Sequence, residues 1–563
     1  MICVRLLFCL LFVISGCTQS LTRPGPLGSA PPSGPSERAQ LYYEYMAAQR
    51  YVSEKEFDKA IEAYEKALQI DPQSSILLTE LALIYLRQGK MDSALKLAEQ
   101  SIRSAPDYAP SYLLLGQLYA SKGQIEPAVE AYRRVIEISP WEEDAYLLLG
   151  ALYAQEKRVD EAVEVFDQLK EVVPDNPISL YYKARIFLDM KYYEQAEQIY
   201  RELLAEEPRF ENGLLDLAYI FEVTDRQREA EKTYIRILSG NPASVQARTR
   251  LGNLYMREGR ADDAIRQFNQ LLKINRKDLE SQLKIGIIQL QQKNYEDAIS
   301  EFTGLLKEDP KYDQALYYLG TTYEEKLDYE QAIRNFRLIS QASPMWNAAQ
   351  SRLAMVFAKL KDIASGAKVL NEAIAKSPDV GDLYLYLAII YEEADQYDES
   401  MKALDRGLEK LPNDTELLFR KGMVMDKTGK KEEAVQTMRR ILSIDPKNAN
   451  ALNYIGYSYA EMGTDLASAK DMIIQALDIS PDDGYIMDSL GWVYFKMGNH
   501  KKALDTLLEA IKRVPDDPVI LEHLGDVYLE LGRKAKATEA YQKAIQYNHS
   551  EPGKIKAKLD AIK

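Results

Sequence analysis

The chain has 563 residues, 46% of them hydrophobic and 28% charged, so it can bury extensive cores and still carry a polar surface. Its formal net charge of −15 repels phosphate backbones, which sets nucleic acid aside as a partner. The three cysteines, Cys3, Cys9 and Cys17, all lie near the start and exclude a disulfide framework or a cysteine metal site in the remainder.

Residues 1–16 hold one charge, Arg5, then nine apolar residues from Leu6 to Ile14, then Ser15 and Gly16. This is the layout of an export signal. The apolar run covers about half of a bilayer core, which needs about 20 residues, so a retained membrane helix is not expected. The order Ile14, Ser15, Gly16, Cys17 resembles the bacterial lipobox. That resemblance implies cleavage before a lipid-modified Cys17, with acyl chains such as palmitate as anchor. Thr18 in place of aspartate implies sorting to the outer membrane, and loss of Arg5 takes the net charge from −15 to −16. Residues 17–40, with five prolines and three glycines after the cysteine, read as a tether. As a coil it spans roughly 25 to 30 Å.

Beyond residue 40, prolines recur at 72, 106, 140, 174, 208 and 242, then at 310, 344, 378, 412 and 446, at intervals of 34 or 68. A period of 34 is that of a helix-turn-helix repeat. With each proline at position 32, position 8 is Gly or Ala in all 15 units, and position 20 is mostly Ala. Small residues there let paired helices approach closely. Position 11 is usually aromatic (Tyr85, Tyr119, Tyr153), as is position 24 (Tyr64, Tyr132, Phe166), and these rings are expected to fill the space between successive pairs. The 38 tyrosines against 13 phenylalanines are mainly these columns. Arg276 and His549 replace the proline, Gly366 and Ser400 replace the alanine, and one residue is inserted near GTDLASA, which is expected to lengthen a turn.

These columns resemble the tetratricopeptide repeat family over residues 41–549. The resemblance implies an all-α, right-handed superhelical solenoid of about 15 repeats. Residues 550–563 are expected to form a polar capping helix.

No catalytic constellation emerges. His500, His523 and His549 fall in a turn, on a first helix and after a second helix, and no metal or nucleophile motif is present. Gly422 and Gly429 are separated by six residues where a phosphate loop needs four, and Gly429 shares a turn position with Gly89, Gly123 and Gly259. Glu142 with Glu143 and Glu432 with Glu433 suit helix starts, where carboxylates meet the positive dipole end. The reading is therefore a non-enzymatic protein with no cofactor, metal or small-molecule substrate.

Within the resembled family, first-helix positions 2, 5, 9 and 12 line the concave wall. Carried over, they imply a partner-binding groove of Tyr42, Tyr45, Gln49, Ile76, Thr79, Leu83, Leu86, Tyr181, Arg185, Leu188, Leu215, Tyr219, Leu283, Ile287, Leu290, Tyr317, Phe419, Met423, Asn450, Asn453, Tyr457, Tyr485, Asp488, Trp492 and Phe495. Aromatic and methionine side chains suit burial of a peptide or helix. No unit has the lysine and asparagine pair of the chaperone-binding subclass. The late segments ALNYIGYSYAEMG and DSLGWVYFKMGNHKKALDTLLEAI resemble terminal repeats of bacterial envelope proteins, including a lipoprotein adaptor for a carboxy-terminal processing protease. The expected function is a lipid-anchored adaptor facing the periplasm, with periplasmic or outer-membrane proteins as partners. The alternative is a structural part of a polysaccharide-export or secretion assembly, and an enzyme acting on peptidoglycan is the least favoured class.

Overall fold

The computed structural model describes residues 35–562, and every regular element among them is an α-helix. Thirty helices form 15 consecutive antiparallel pairs, and one more, Pro552–Ile562, follows. They divide into two compact units, residues 1–276 and 277–563. The division falls at Arg276, where the repeat lacks its proline. The described part of the first unit holds repeats 1–7, and the second holds repeats 8–15 with the terminal helix. Within each unit the core is a series of local clusters. One joins Tyr132 of repeat 3 to Tyr146 of repeat 4, and another joins Phe336 of repeat 9 to Leu353 of repeat 10.

The first helix begins at Pro35 and runs to Ser53, so residues 35–40, read as tether, are helical where described. Proline suits a first helical position because it lacks only an N–H that would have no partner there.

Every pair but repeat 2, where Ala82 meets Ala98, is fitted by a small residue at position 8 under a large one at position 24. A Cβ added at Gly150 would lie 2.5 Å from the Phe166 ring, at Gly252 2.8 Å from Phe268, and at Gly320 2.7 Å from Phe336. All four phenylalanines of position 24, Phe166, Phe268, Phe302 and Phe336, sit on glycine. The tyrosines divide between glycine and alanine: Tyr132 and Tyr541 lie over Gly116 and Gly525, whereas repeats 1, 5 and 6 pair Tyr64, Tyr200 and Tyr234 with Ala48, Ala184 and Ala218. These rings fill the space inside a pair and, as expected, also reach the next pair: Phe166 stacks on Tyr182 of repeat 5 and Phe302 on Tyr318 of repeat 9, each with ring centroids 5.9 Å apart. Position 20 is buried in every repeat, and Ser400, which replaces its alanine, hydrogen-bonds Glu392 at 3.4 Å.

The turn inside each pair is equally regular. Position 15 has a positive φ in all 15 repeats, on glycine in seven and on lysine, aspartate or leucine in eight. It is the left-handed residue of a helix C-terminal motif: Leu327 N–H donates to Glu324 O at 3.0 Å and Asp328 N–H to Tyr323 O at 2.8 Å. The inserted residue of repeat 13 is absorbed here, with Gly463 and Asp465 both left-handed and the Asp465 side chain capping Leu466–Ile479. The pair itself still closes, because a Cβ on Gly456 would meet Ile473 at 2.5 Å.

Two substitutions test these constraints. Gly320→Ala gains about 1 kcal/mol of helix propensity but overpacks Phe336, at a cost of about 1–3 kcal/mol. Net loss of hydrogen-exchange protection in Asp313–Glu325 is expected, with Phe336→Leu reversing part of it in a double-mutant cycle. Leu327→Gly relieves a left-handed leucine that is 68% exposed, and should raise protection of the same pair by about 0.5–1 kcal/mol.

Candidate functional site

First-helix positions 2, 5, 9 and 12 differ widely in what they present. Tyr42, Tyr219, Met423 and Tyr485 are exposed. Tyr45, Leu83, Leu86, Tyr181, Tyr317, Phe419, Tyr457 and Phe495 are half-buried. Tyr45 meets Tyr64 edge-on at 6.3 Å, Tyr181 meets Phe210 at 5.3 Å, and the guanidinium of Arg250 lies 5.6 Å over the Tyr219 ring. Thr79, Leu188, Leu215 and Leu283 are buried, Thr79 in a hydroxyl cluster with Ser101 and Ser111. Trp492, expected in the groove, is only 8% exposed and is interior packing. Cys17 lies outside the described residues.

The expected apolar wall is also interrupted by buried carboxylates that join one repeat to the next. Glu324 of repeat 9 accepts from Arg352 of repeat 10 at 2.8 Å and from Lys359 at 2.9 Å. Glu392 of repeat 11 accepts from Arg420 of repeat 12 at 2.7 Å. In the first unit, Asp216 of repeat 6 lies 3.1 Å from Arg185 and accepts from the Tyr200 hydroxyl at 2.9 Å. A buried carboxylate stripped of its cation loses about 3–5 kcal/mol, so these pairs hold successive repeats in register. For Glu324 and Glu392 the sequence signal is an acid at position 12 with arginine 28 residues later, a spacing that only comparison across the repeat boundary makes visible.

The densest cluster lies in repeats 13–15. His523 stacks on Trp492 with ring centroids 4.1 Å apart, and Trp492 stacks on Phe495 at 4.9 Å. The Trp492 indole N–H donates to Glu461 at 2.5 Å, and Lys496 Nζ lies 4.8 Å over its ring. His523 Nδ1 is 2.9 Å from Asp488 Oδ1. Burial works against the His523 charge, but the Asp488 carboxylate outweighs it and lifts the imidazole above its usual range. Next to it, Glu522 contacts Lys558 at 2.7 Å and Lys554 at 3.1 Å, both on the terminal helix, and lies 2.8 Å from His549 Nε2. Burial pushes the Glu522 carboxyl up, and the two lysines overcome that and hold it at about 2. The polar cap expected for residues 550–563 is thus the helix Pro552–Ile562, fixed by this cluster and by buried Ile555 against Tyr541.

His500 begins the helix His500–Arg513 instead of lying in a turn. Glu142 with Glu143, and Glu432 with Glu433, are found at helix starts, and Gly429 is a left-handed turn glycine. Among the described residues no group of three His, Cys, Asp or Glu is placed to hold a metal ion, and no helix is long and apolar enough to cross a membrane.

Family models described as tetratricopeptide repeat match residues 51–118 and 228–284, 144–176, 283–345 and 373–550, and one described as TPR repeat matches 116–157. The chain carries tetratricopeptide repeats. Stacks of this kind are typical of protein-interaction scaffolds. The TPR repeat-containing protein PA4667 of Pseudomonas aeruginosa is 38% identical over 58 residues, and that segment is 10% of this chain and 10% of the relative. Of solved structures, a chain from Naa15/Naa10 bound to HypK-THB has a TM-score of 0.38 at 15% identity, covering 93% of this chain and 96% of its own. A chain of the APC/C hetero-tetramer Cut9-Hcn1 has a TM-score of 0.36 at 13% identity, covering 87% and 96%. Likenesses at these scores bear on no point of function.

Because the folded state raises the His523 pKa, the stability it contributes is fully present below the unfolded value of 6.5 and is lost as pH rises through the folded value. With Trp141 and Trp346 replaced by phenylalanine, the urea midpoint read from Trp492 fluorescence should fall as pH rises above 6.5, and Asp488→Asn should flatten that slope.

Proposed function

We propose that this protein is a non-enzymatic scaffold, lipid-anchored through Cys17 to the outer membrane and facing the periplasm, whose first-helix positions receive periplasmic partner proteins, a protease or wall enzyme among them. The observation that carries the binding half of this reading is the placement of Tyr42 and Tyr485, at position 2, and of Tyr219 and Met423, at position 9, in solvent on four separate repeats. Large aromatic and thioether surfaces left in water on an ion-paired framework suit capture of an apolar peptide or helix, because burying them releases water at little cost in ordering the scaffold. The anchoring half is supported by the Leu6–Ile14 run and the Ile14, Ser15, Gly16, Cys17 order.

Two measurements test the halves separately. Cys17→Ser should move the protein from the membrane to the soluble fraction with helical content unchanged, and unaltered membrane retention removes the anchor. Affinity purification followed by mass spectrometry should recover a periplasmic protein that Tyr219→Ala with Tyr485→Ala depletes about tenfold or more, as expected of aromatic anchors. Equal recovery by both forms removes the groove, and recovery of an export pore with loss of exported polymer replaces the adaptor by the structural alternative.

A further inference from the structure

In every repeat after the first, positions 3 and 10 of the first helix are buried by the adjoining structure, and position 3 is always small or aliphatic. Repeat 1 breaks both rules. Its position 3 is Tyr43, 70% exposed, its position 10 is the exposed Arg50, and between them Met46 is 64% exposed. At 100° per residue these three share one arc of Pro35–Ser53 with Tyr42 and the exposed Arg38. Glu37 and Glu44 project from the other side, toward which buried Leu41 and Ala48 also turn. The acid nearest the arc is Glu54, just past the helix, 3.6 Å from Arg50 in an exposed pair.

The other end of the chain is finished differently. There the lysine-bearing helix Pro552–Ile562 covers repeat 15, as solubility of a repeat stack requires. The end at repeat 1 instead presents tyrosine, methionine and arginine. Tyrosine concentrates at the boundary between hydrocarbon and headgroups, and arginine meets anionic headgroups there.

We propose that this end face of repeat 1 docks on the surface of the anionic bilayer to which Cys17 holds the chain. The inference rests on the lipid-anchor reading for its geometry. The seventeen residues between Cys17 and Pro35 reach at most about 60 Å, so the first helix never leaves the neighbourhood of the membrane. Tethering at that range supplies an effective concentration near millimolar, so a face of modest affinity is held down once the anchor is in place. A second copy is the poorer occupant. In a self-contact Arg38 and Arg50 would face arginines, and the arc contains no carboxylate to receive them.

The test uses the chain from residue 17 onward carrying Cys17→Ser, which has no lipid and no other cysteine, with Met46→Cys or Leu338→Cys labelled by an environment-sensitive fluorophore. Leu338 is 62% exposed on a helix of repeat 9 and serves as the remote control. Vesicles of equal parts phosphatidylethanolamine and phosphatidylglycerol should shift the label at 46 to the blue and leave the label at 338 unchanged. In the unlabelled protein, Tyr43→Ser with Met46→Ser should reduce vesicle co-sedimentation about fivefold or more while circular dichroism stays constant, since interfacial affinity scales with buried apolar area. Tyr43→Trp, which keeps an interfacial aromatic, should retain binding. No shift at 46, or equal shifts at both sites, overturns the proposal. A shift that follows protein concentration without vesicles, together with a dimer in sedimentation, also overturns it and assigns the face to self-association. Because this chain carries no lipid, failure here leaves the fractionation result for Cys17 to stand or fall alone.

Discussion

A ring lying on a residue with no side chain is the contact on which the rest of this protein depends. With Phe336 over Gly320, or Phe166 over Gly150, the two helices of a pair approach until the ring rests against the opposing backbone. The ring supplies the buried area, and the glycine, costly in a helix by about 1 kcal/mol, supplies the room. At Leu370 and Leu404 leucine takes the ring's place, alanine stands opposite and the helix regains propensity, whereas Leu507 keeps a glycine, Gly491, beneath it. Position 8 stays small throughout because a larger side chain there would overpack the crossing.

That fit is local, and so is the architecture built from it. Each cluster spans a few neighbouring repeats, so stability is close to a sum of pair and neighbour contributions. Hydrophobic contact between repeats is non-directional and would tolerate sliding. The paired carboxylates are directional: Glu324 with Arg352 and Glu392 with Arg420 accept one alignment of adjacent first helices. The same groups occupy positions expected to be open wall, so inner-face area is exchanged for register. What remains accessible is discontinuous, with Tyr219, Met423 and Tyr485 standing among buried neighbours.

The cluster of repeats 13–15 shows how an inner position becomes core. By its column Trp492 belongs to the wall, yet His523 of the next repeat stacks on it and Glu461 of the previous one takes its N–H. The terminal helix then adds Lys554 and Lys558 to Glu522. A column fixes only the direction in which a side chain leaves its helix. Whether it meets water or a neighbour depends on the side chains of the repeats on either side, which one column does not contain.

Periodicity was enough for the helices, their pairing and their number, because proline at position 32 and the small residues at 8 and 20 each report a local steric requirement that a sequence displays directly. The turn glycines were legible for the same reason, although Leu327 and Lys157 occupy the same left-handed position with no local signal, since the helix C-terminal hydrogen bonds enforce it. Tertiary structure alone decided that position 24 packs within a pair as well as against the next one, that Trp492 is core, that charge pairs interrupt the wall, and that Tyr43 is exposed. All four depend on what stands opposite a residue in three dimensions, and burial is a property of the pair of surfaces, not of either sequence segment.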